Sequence, residues 1–185
     1  MILNKDIIEK EKKKLTDKNI KIDTHPDKKK RDIYSSFSAI HFSGKIDFDL
    51  VELDGALAHE IIHIEEKHHI KSSLFVAFSF PLIAIAVMFV LRYTRITLSL
   101  SPSIGFIAIA TFALEALLFA NLRKHFERVA DRKAAEKVGK LPIIHALEKV
   151  KTWEERDKHD LTHDRSERRI EALRRLNLPD FIELK

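Results

Sequence analysis

The chain has 185 residues, with 33 Lys and Arg against 28 Asp and Glu, 45% apolar residues, 10 His and no Cys. This length suits one domain with its own hydrophobic core. The lack of Cys excludes disulfide frameworks, Cys-ligated metal centres and thiol catalysis. The net charge of +5 does not by itself indicate a nucleic-acid-binding protein, whereas so many His in a short chain suggest a metal site.

The first 30 residues are rich in Lys and form a charged N-terminal segment that precedes a main domain of residues 31–185. They predict a short charged helix followed by a solvated linker. The alternative is a basic arm that rests on anionic lipid headgroups, at about 1 kcal/mol per Lys near the surface. The start of the chain lacks an apolar stretch of the kind that a cleavable signal peptide needs, and none is expected.

A small β element is predicted after this segment. Ile33–Phe42 is rich in β-branched and aromatic residues, which favours a strand. Ser43 and Gly44 then predict a turn, and residues 45–48 a short returning strand. The expected fold class is therefore mainly α with a small antiparallel β element.

Helices are predicted over most of the remaining chain. Asp49 and Glu52 have the spacing of a capping box, which marks the start of a helix over about 49–70. Apolar residues at helical spacing predict the further helices, which cover 103–138, a segment from Pro142 onward and about 166–176.

Two apolar segments, 72–91 and 103–122, each extend over 20 positions, and Glu115 is their one charged residue. A helix of that length crosses a hydrocarbon core of about 30 Å at about 1.5 Å per residue. We predict a transmembrane hairpin inserted into the main domain over 72–122. Two buried helices of a soluble protein are the alternative, but uncharged runs this long are uncommon in soluble cores.

The orientation follows from the positive charges near the spans. Nine Lys and Arg lie within 20 residues outside the hairpin, against Arg92 and Arg95 in its loop, which predicts a multi-pass cell-membrane protein with both termini in the cytoplasm. His68 and His69 are expected at the headgroup boundary. Glu115 falls near mid-bilayer, where a charge is expensive; packing within the chain or in a homo-oligomer is favoured there over a substrate contact.

The predicted helix over 49–70 contains an HExxH motif, His59-Glu60-Ile61-Ile62-His63. Residues four apart on a helix are neighbours, so His59 and His63 can present two imidazoles to one metal ion. Glu60 can reach a water molecule beside that ion. The motif also arises by chance, so it needs a third ligand before it indicates a catalytic site.

A catalytic zinc ion takes three protein ligands and keeps one position open. Glu127, on the predicted helix over 103–138, is the candidate third ligand. Asp131 follows one turn later and can hold a ligand imidazole by its second nitrogen. Because antiparallel spans return the chain to the same side of the membrane, we expect Glu127 to meet His63.

These residues carry a family resemblance. The segments LDGALAHEIIH and HFERVADRKAAEKVG flank the two apolar segments and resemble the membrane gluzincins of the HtpX heat-shock protease and CAAX prenyl protease family. The resemblance covers about 31–176 and implies a zincin-like α+β fold with one Zn²⁺ per chain. In the segment THDRSERRIEAL it gives His163 and Arg169 roles facing the substrate and the oxyanion. The chain departs from the family at Asp164-Arg165, where many members have Pro-Pro, and in having no span before the HExxH helix.

Motif and resemblance together predict an integral-membrane zinc metalloendopeptidase that acts at the cytoplasmic face on unfolded or membrane-associated proteins, with quality control as the implied role. Glu60 would be the general base, and His163 and Arg169 would stabilise the oxyanion. The substrate would lie extended along the strand Ile33–Phe42. A prenyl-protein protease is less favoured, because two spans cannot enclose a chamber.

Two further classes stay open. One is a catalytically silent membrane adaptor that uses zinc as a structural clamp, closed by a fourth ligand such as His163. The other is a membrane-anchored interaction module without metal. Nucleic acid is not expected as a partner, because the Arg-rich segment over 165–175 interleaves Glu with apolar residues at helical spacing.

Overall fold

The structure is a computed structural model that describes residues 5–93, 100–154 and 165–180. These ranges contain six helices and three short strands. In chain order they are α1 (Lys5–Leu15), β1 (Lys21–His25), β2 (Asp32–Ser35), β3 (Ala39–Ser43), α2 (Leu50–Glu65), α3 (His68–Tyr93), α4 (Leu100–Val138), α5 (Lys140–Glu154) and α6 (Ser166–Arg174). The fold is mainly helical, as predicted.

The sheet is mixed, which corrects the antiparallel prediction. Its strand order is β1-β3-β2, with β3 parallel to β1 and antiparallel to β2. The hairpin turn lies inside the predicted strand, where the Ser36 N–H donates to the Ala39 carbonyl at 2.8 Å, and residues 45–48 form no strand. Gly44 has φ +74° and donates its N–H to the His25 carbonyl at 2.9 Å. That bond connects β3 to β1. The predicted β element did not include a strand from the N-terminal segment.

The N-terminal segment packs against the domain, and the prediction of a solvated linker is wrong. Helix α1 is present as predicted, and its Ile8 is 1% exposed. Ile20 and Ile22 after it are also buried in the core. The Lys12 side chain donates to the Ile20 carbonyl at 2.7 Å. High Lys content hid this segment's apolar face, because Lys can cover apolar surface with its stem while its charge stays solvated.

Helix α2 is the central element of the domain. Its capping box is confirmed, since the Glu52 N–H donates to Asp49 Oδ1 and the Asp49 N–H donates to Glu52 Oε2, both at 2.8 Å. It packs against α1, α4, α5 and the sheet, and Leu53, Leu57 and Ile61 are fully buried. A helix covered on this many sides places its polar residues in the interior.

The predicted single helix over 49–70 is two helices in the structure. Lys67 adopts φ +54°, which breaks the helical path between α2 and α3. The turn redirects α3 so that it lies beside α4. Helix α4 continues without a break to Gly139, as predicted, and Gly139 ends it with φ +87°.

One helix in the described part of the chain, His68–Val90, is long and apolar enough to cross a membrane, with a mean hydropathy of 2.5 and 6% of its apolar window buried. The second predicted span lies within α4. Two transmembrane helices are therefore not confirmed and stay a prediction. Ser79 donates to Glu115 Oε1 at 2.7 Å, so Glu115 makes its polar contact with the neighbouring helix of the same chain.

Candidate active site

His59 and His63 project from the same face of α2, one turn apart. Both are buried, with 8% of each residue exposed. Their Nε2 atoms lie 3.0 Å apart, so the two imidazoles point to one common position. The local reason is the helix period, which stacks residues i and i+4.

Glu127 reaches the same position from α4. Its Oε2 lies 3.3 Å from His59 Nε2 and its Oε1 lies 3.7 Å from His63 Nε2. One ligand atom from each of the three residues falls within a group that spans no more than 4.8 Å. The structure thus brings together the three residues predicted as metal ligands, although α3 and the first half of α4 separate them in the chain.

Asp131 lies one turn beyond Glu127 and supports the first imidazole. Its Oδ1 is 2.9 Å from His59 Nδ1, so the carboxylate holds the ring nitrogen opposite the common position. This is the arrangement that fixes the ring orientation and tautomer of a ligand imidazole.

Arg169 enters the cluster from α6. Its Nε and Nη2 donate to the two oxygens of Asp131 at 2.8 and 2.6 Å, and its Nη1 lies 3.1 Å from Glu127 Oε2. The resemblance implies that this residue faces the oxyanion. The structure places its guanidinium against two carboxylates of the cluster, and the implied role toward the oxyanion stays a prediction.

Glu60 lies beside the imidazoles and is 9% exposed. Burial raises the pKa of its carboxyl, while the charge of His59 and a hydrogen bond from Ser35 act in the opposite direction. A carboxylate with a raised pKa suits a general base near neutral pH.

Three residues beside the site were not predicted to be there. Ser35, at the end of β2, lies next to Glu60 and 3.2 Å from His69 Nε2. His68 Nδ1 lies 3.0 Å from His63 Nδ1, and the ring of His68 stacks on Phe126 at 4.4 Å. The turn at Lys67 directs both His68 and His69 back to the site, and their expected position at the headgroup boundary stays a prediction. No spacing in the sequence signals this.

His163 falls outside the described residues. Its predicted role toward the substrate therefore stays a prediction.

The cluster opens into a cleft of about 890 Å³. Strand β2 lines one side, and it is an edge strand, since β3 occupies the centre of the sheet. The opposite wall is apolar and comes from α5, namely Ile143, Ala146, Leu147, Val150 and Trp153. Within the described sheet, the β2 part of the predicted strand Ile33–Phe42 lies at an edge and lines the cleft, where an extended peptide can add as a further strand.

The sequence matches the family model of peptidase family M48 over residues 45–177. The chain belongs to peptidase family M48. It is also similar to a protein named "Protease HtpX homolog" from Bacillus licheniformis, with 32% identity over 128 residues that cover 63% of this chain and 41% of that protein. The chain thus spans less than half the length of this relative. No solved structure matches it.

M48 peptidases are metalloproteases, and the donor set fits a metal ion. Two imidazole nitrogens and one carboxylate, all buried, form a set that zinc accepts. Burial, followed by the charge of His59, lowers the pKa of His63 to about 2, so this imidazole is neutral and free to act as a ligand. Burial and Arg169 also lower the pKa of His59, but Asp131 and Glu127 outweigh them and raise it to about 10. Binding of a metal must then release a proton from His59.

Proposed function

We propose that this M48 peptidase is an integral-membrane zinc metalloendopeptidase with its active site at the cytoplasmic face. The observation that carries the proposal is the convergence of His59, His63 and Glu127 on one buried position, with the carboxyl of Glu60 beside it and a cleft leading to it. The substrates are segments of unfolded or membrane-associated proteins, and the role is protein quality control.

A zinc ion held by these three residues would supply Lewis acidity, which acidifies a water molecule and polarises the scissile carbonyl. Glu60 takes the proton of the attacking water and delivers it to the leaving amine, a function worth about 10²–10⁴-fold in rate. His163 is the proposed donor to the developing oxyanion. The contacts of Arg169 with Asp131 and Glu127 favour a positioning role for the guanidinium over an oxyanion contact.

The substrate backbone lies along β2, the edge strand that lines the cleft, and adds a strand to the sheet. Binding by strand addition selects extended, unfolded segments of any sequence, because main-chain hydrogen bonds require no particular side chain. The apolar wall of α5 then receives a substrate side chain. These features support an endopeptidase of broad sequence range.

The membrane part of the proposal rests on α3 and α4. Large apolar side chains are exposed along both helices, including Phe89 at 71%, Ile109 at 72% and Phe112 at 71%. An apolar surface of this kind is expected to face lipid. The proposed topology has two spans, with both termini in the cytoplasm.

The test of the mechanism is Glu60→Gln in the zinc-loaded full chain. We expect cleavage of unfolded casein to fall by about 10²-fold or more, while bound zinc, measured by elemental analysis, stays near one equivalent. Cleavage at the parent rate would refute the mechanism. A closed structural zinc clamp predicts no chelator-sensitive cleavage by the parent, so cleavage that 1,10-phenanthroline abolishes excludes that alternative.

A further inference from the structure

One end of the cleft is formed by the end of α5 and the first turn of α6. Ion pairs Lys151–Glu167 at 2.6 Å and Glu148–Arg174 at 3.0 Å hold the two helices antiparallel. This register places Trp153, two residues after Lys151, level with the first residues of α6. Trp153, Arg165 and Arg168 all line the cleft.

Trp153 presents a buried hydrogen-bond donor without an acceptor. The residue is 5% exposed, and its Nε1 has no hydrogen-bond partner in the described ranges. The indole stacks on Phe48 with the ring centres 5.2 Å apart and the planes 13° apart, which fixes the ring direction. Trp153 lines the cleft, and because buried N–H groups are nearly always hydrogen-bonded, its unpaired donor indicates an acceptor on a ligand, which must displace the atoms that now shield Nε1.

The first turn of α6, next to Trp153, carries two positively charged side chains. Arg165 and Arg168 are exposed, and neither makes an ion pair with another described residue. Glu167, the acid of the same turn, is already paired with Lys151. Arg165 caps α6 without a side-chain hydrogen bond, so the N–H groups of the first turn and the helix dipole also favour an anion there.

We propose that this end of the cleft is a carboxylate-binding subsite, in which Trp153 Nε1 and the guanidinium groups of Arg165 and Arg168 hold a carboxylate of the peptide substrate. The inference rests on the proposed function, since it selects substrates for that active site. Arg169 contacts Asp131 and Glu127, and Arg165 lies one turn away, about 6 Å along the axis. The carboxylate therefore lies within about two substrate residues of the scissile bond, at about 3.3 Å per residue.

Binding tests the subsite without requiring turnover. The protein is the zinc-loaded Glu60→Gln full chain, and the probes are fluorescein-labelled peptides that carry a single Glu or Gln at each position around the scissile bond. Affinity is measured by anisotropy and by the fluorescence of Trp153, the one Trp of the chain. At one position the Glu peptide binds about tenfold more tightly than its Gln partner. Equal binding of each pair at every position would overturn the proposal.

Two variants assign the effect to these residues. Trp153→Phe keeps the ring stacking and removes the N–H, and Arg168→Gln removes an exposed charge. Each reduces the preference for Glu to about twofold or less, whereas Arg175→Gln, at the C-cap of α6 and paired with Glu171, keeps it. A preference that survives both test variants would overturn the proposal.

A second set of peptides tells whether the bound carboxylate is a Glu or Asp side chain or the C-terminus of a protein. Peptides that end at the preferred position carry a free or an amidated C-terminus in place of Glu. If the free terminus binds as tightly as Glu, the subsite reads protein C-termini. If it binds like the amide, the subsite reads internal acidic side chains. Both results support the subsite, and neither depends on whether the parent protein cleaves peptides.

Discussion

Arg169 is a buried cation that contacts two buried carboxylates, those of Asp131 and Glu127. Burial alone would lower the pKa of its guanidinium, but Asp131 and Glu127 outweigh burial and raise it. The pKa of Asp131 is lowered in turn, because the attraction and hydrogen bonds of Arg169 and His59 exceed the effect of its burial. Both groups stay ionised, and together they hold two of the residues proposed to bind zinc.

Replacement of Arg169 by Met should therefore affect the metal as well as the fold. We expect zinc affinity to fall by about 10–100-fold, as for other partners of ligand residues. The free energy of unfolding should fall by about 3–5 kcal/mol, because Asp131 keeps a buried charge without its partner. Chelator competition measures the first quantity and urea unfolding the second. Arg175→Met, an exposed change at the C-cap of α6, is the control. Unchanged zinc affinity in Arg169→Met would contradict the positioning role.

Asp54 is a second unusual carboxyl, on the opposite side of α2. It is half-buried, and its Oδ1 has no hydrogen-bond partner among the described residues. Burial, followed by the negative charge of Glu11, raises its pKa from 3.8 to about 6. The folded chain thus binds more protons than the unfolded chain between about pH 4 and 6. The contribution of Asp54 to stability falls as the pH rises through this window.

Asp54→Asn removes this titration. We expect the variant to be more stable than the parent near pH 7, with the difference shrinking towards zero below about pH 4. Urea unfolding in detergent across this range measures both effects. The exposed Asp17→Asn serves as the control. A stability difference that does not change with pH would show that Asp54 does not titrate in this window.

Between elements, the close contact of α2 with α5 depends on Gly55. A Cβ added there would lie 2.1 Å from the carbonyl oxygen of Pro142, a backbone atom that cannot turn aside. Gly55 precedes His59 by one turn, so the same contact sets the position of the proposed metal ligands relative to the α5 wall of the cleft.

Gly55→Ala should lower the free energy of unfolding by about 1–3 kcal/mol, because the two helices must separate. Gly105→Ala is a matched control, because a Cβ at that position of α4 meets nothing within 4 Å. Alanine there should be neutral or stabilising by up to about 1 kcal/mol, from its better helix propensity. Thermal unfolding of both variants is the measurement, and equal midpoints for the two would argue against the contact.

At the scale of the whole molecule, α3 and α4 lead away from the domain and return to it. Helix α4 has 39 residues, about 58 Å at 1.5 Å per residue. It therefore extends from its apolar first half, in which Glu115 meets Ser79 of α3, to Glu127 and Asp131 at the site. The proposed membrane hairpin is thus also the connection that returns the third ligand to α2.

Topology can be read with single Cys residues, because the chain has none of its own. Tyr93, which is 84% exposed, lies at the far end of α3, and the exposed Glu136 lies near the domain. In intact cells we expect an impermeant maleimide to label Tyr93→Cys, and to label Glu136→Cys only after permeabilisation. The reverse pattern would invert the proposed orientation, and labelling of both in intact cells would argue against a membrane hairpin.

The features that the sequence determined by itself are those fixed by local spacing. The capping box at Asp49, the pairing of His59 with His63 and the unbroken course of α4 each depend on residues within a few turns, so helical period alone decides them. The approach of Glu127 to the two imidazoles was also predictable, because two consecutive helices that pack side by side return the chain to its starting end.

The tertiary structure alone decided the rest, and the reason is distance along the chain. The mixed sheet depends on β1 packing beside β3, and the direction of Arg169 depends on carboxylates 38 and 42 residues earlier. One backbone angle at Lys67 brought His68 and His69 to the site. The local sequence pattern predicts which face of a helix or strand is apolar. Contacts between elements distant in the chain determine the partner of each polar side chain.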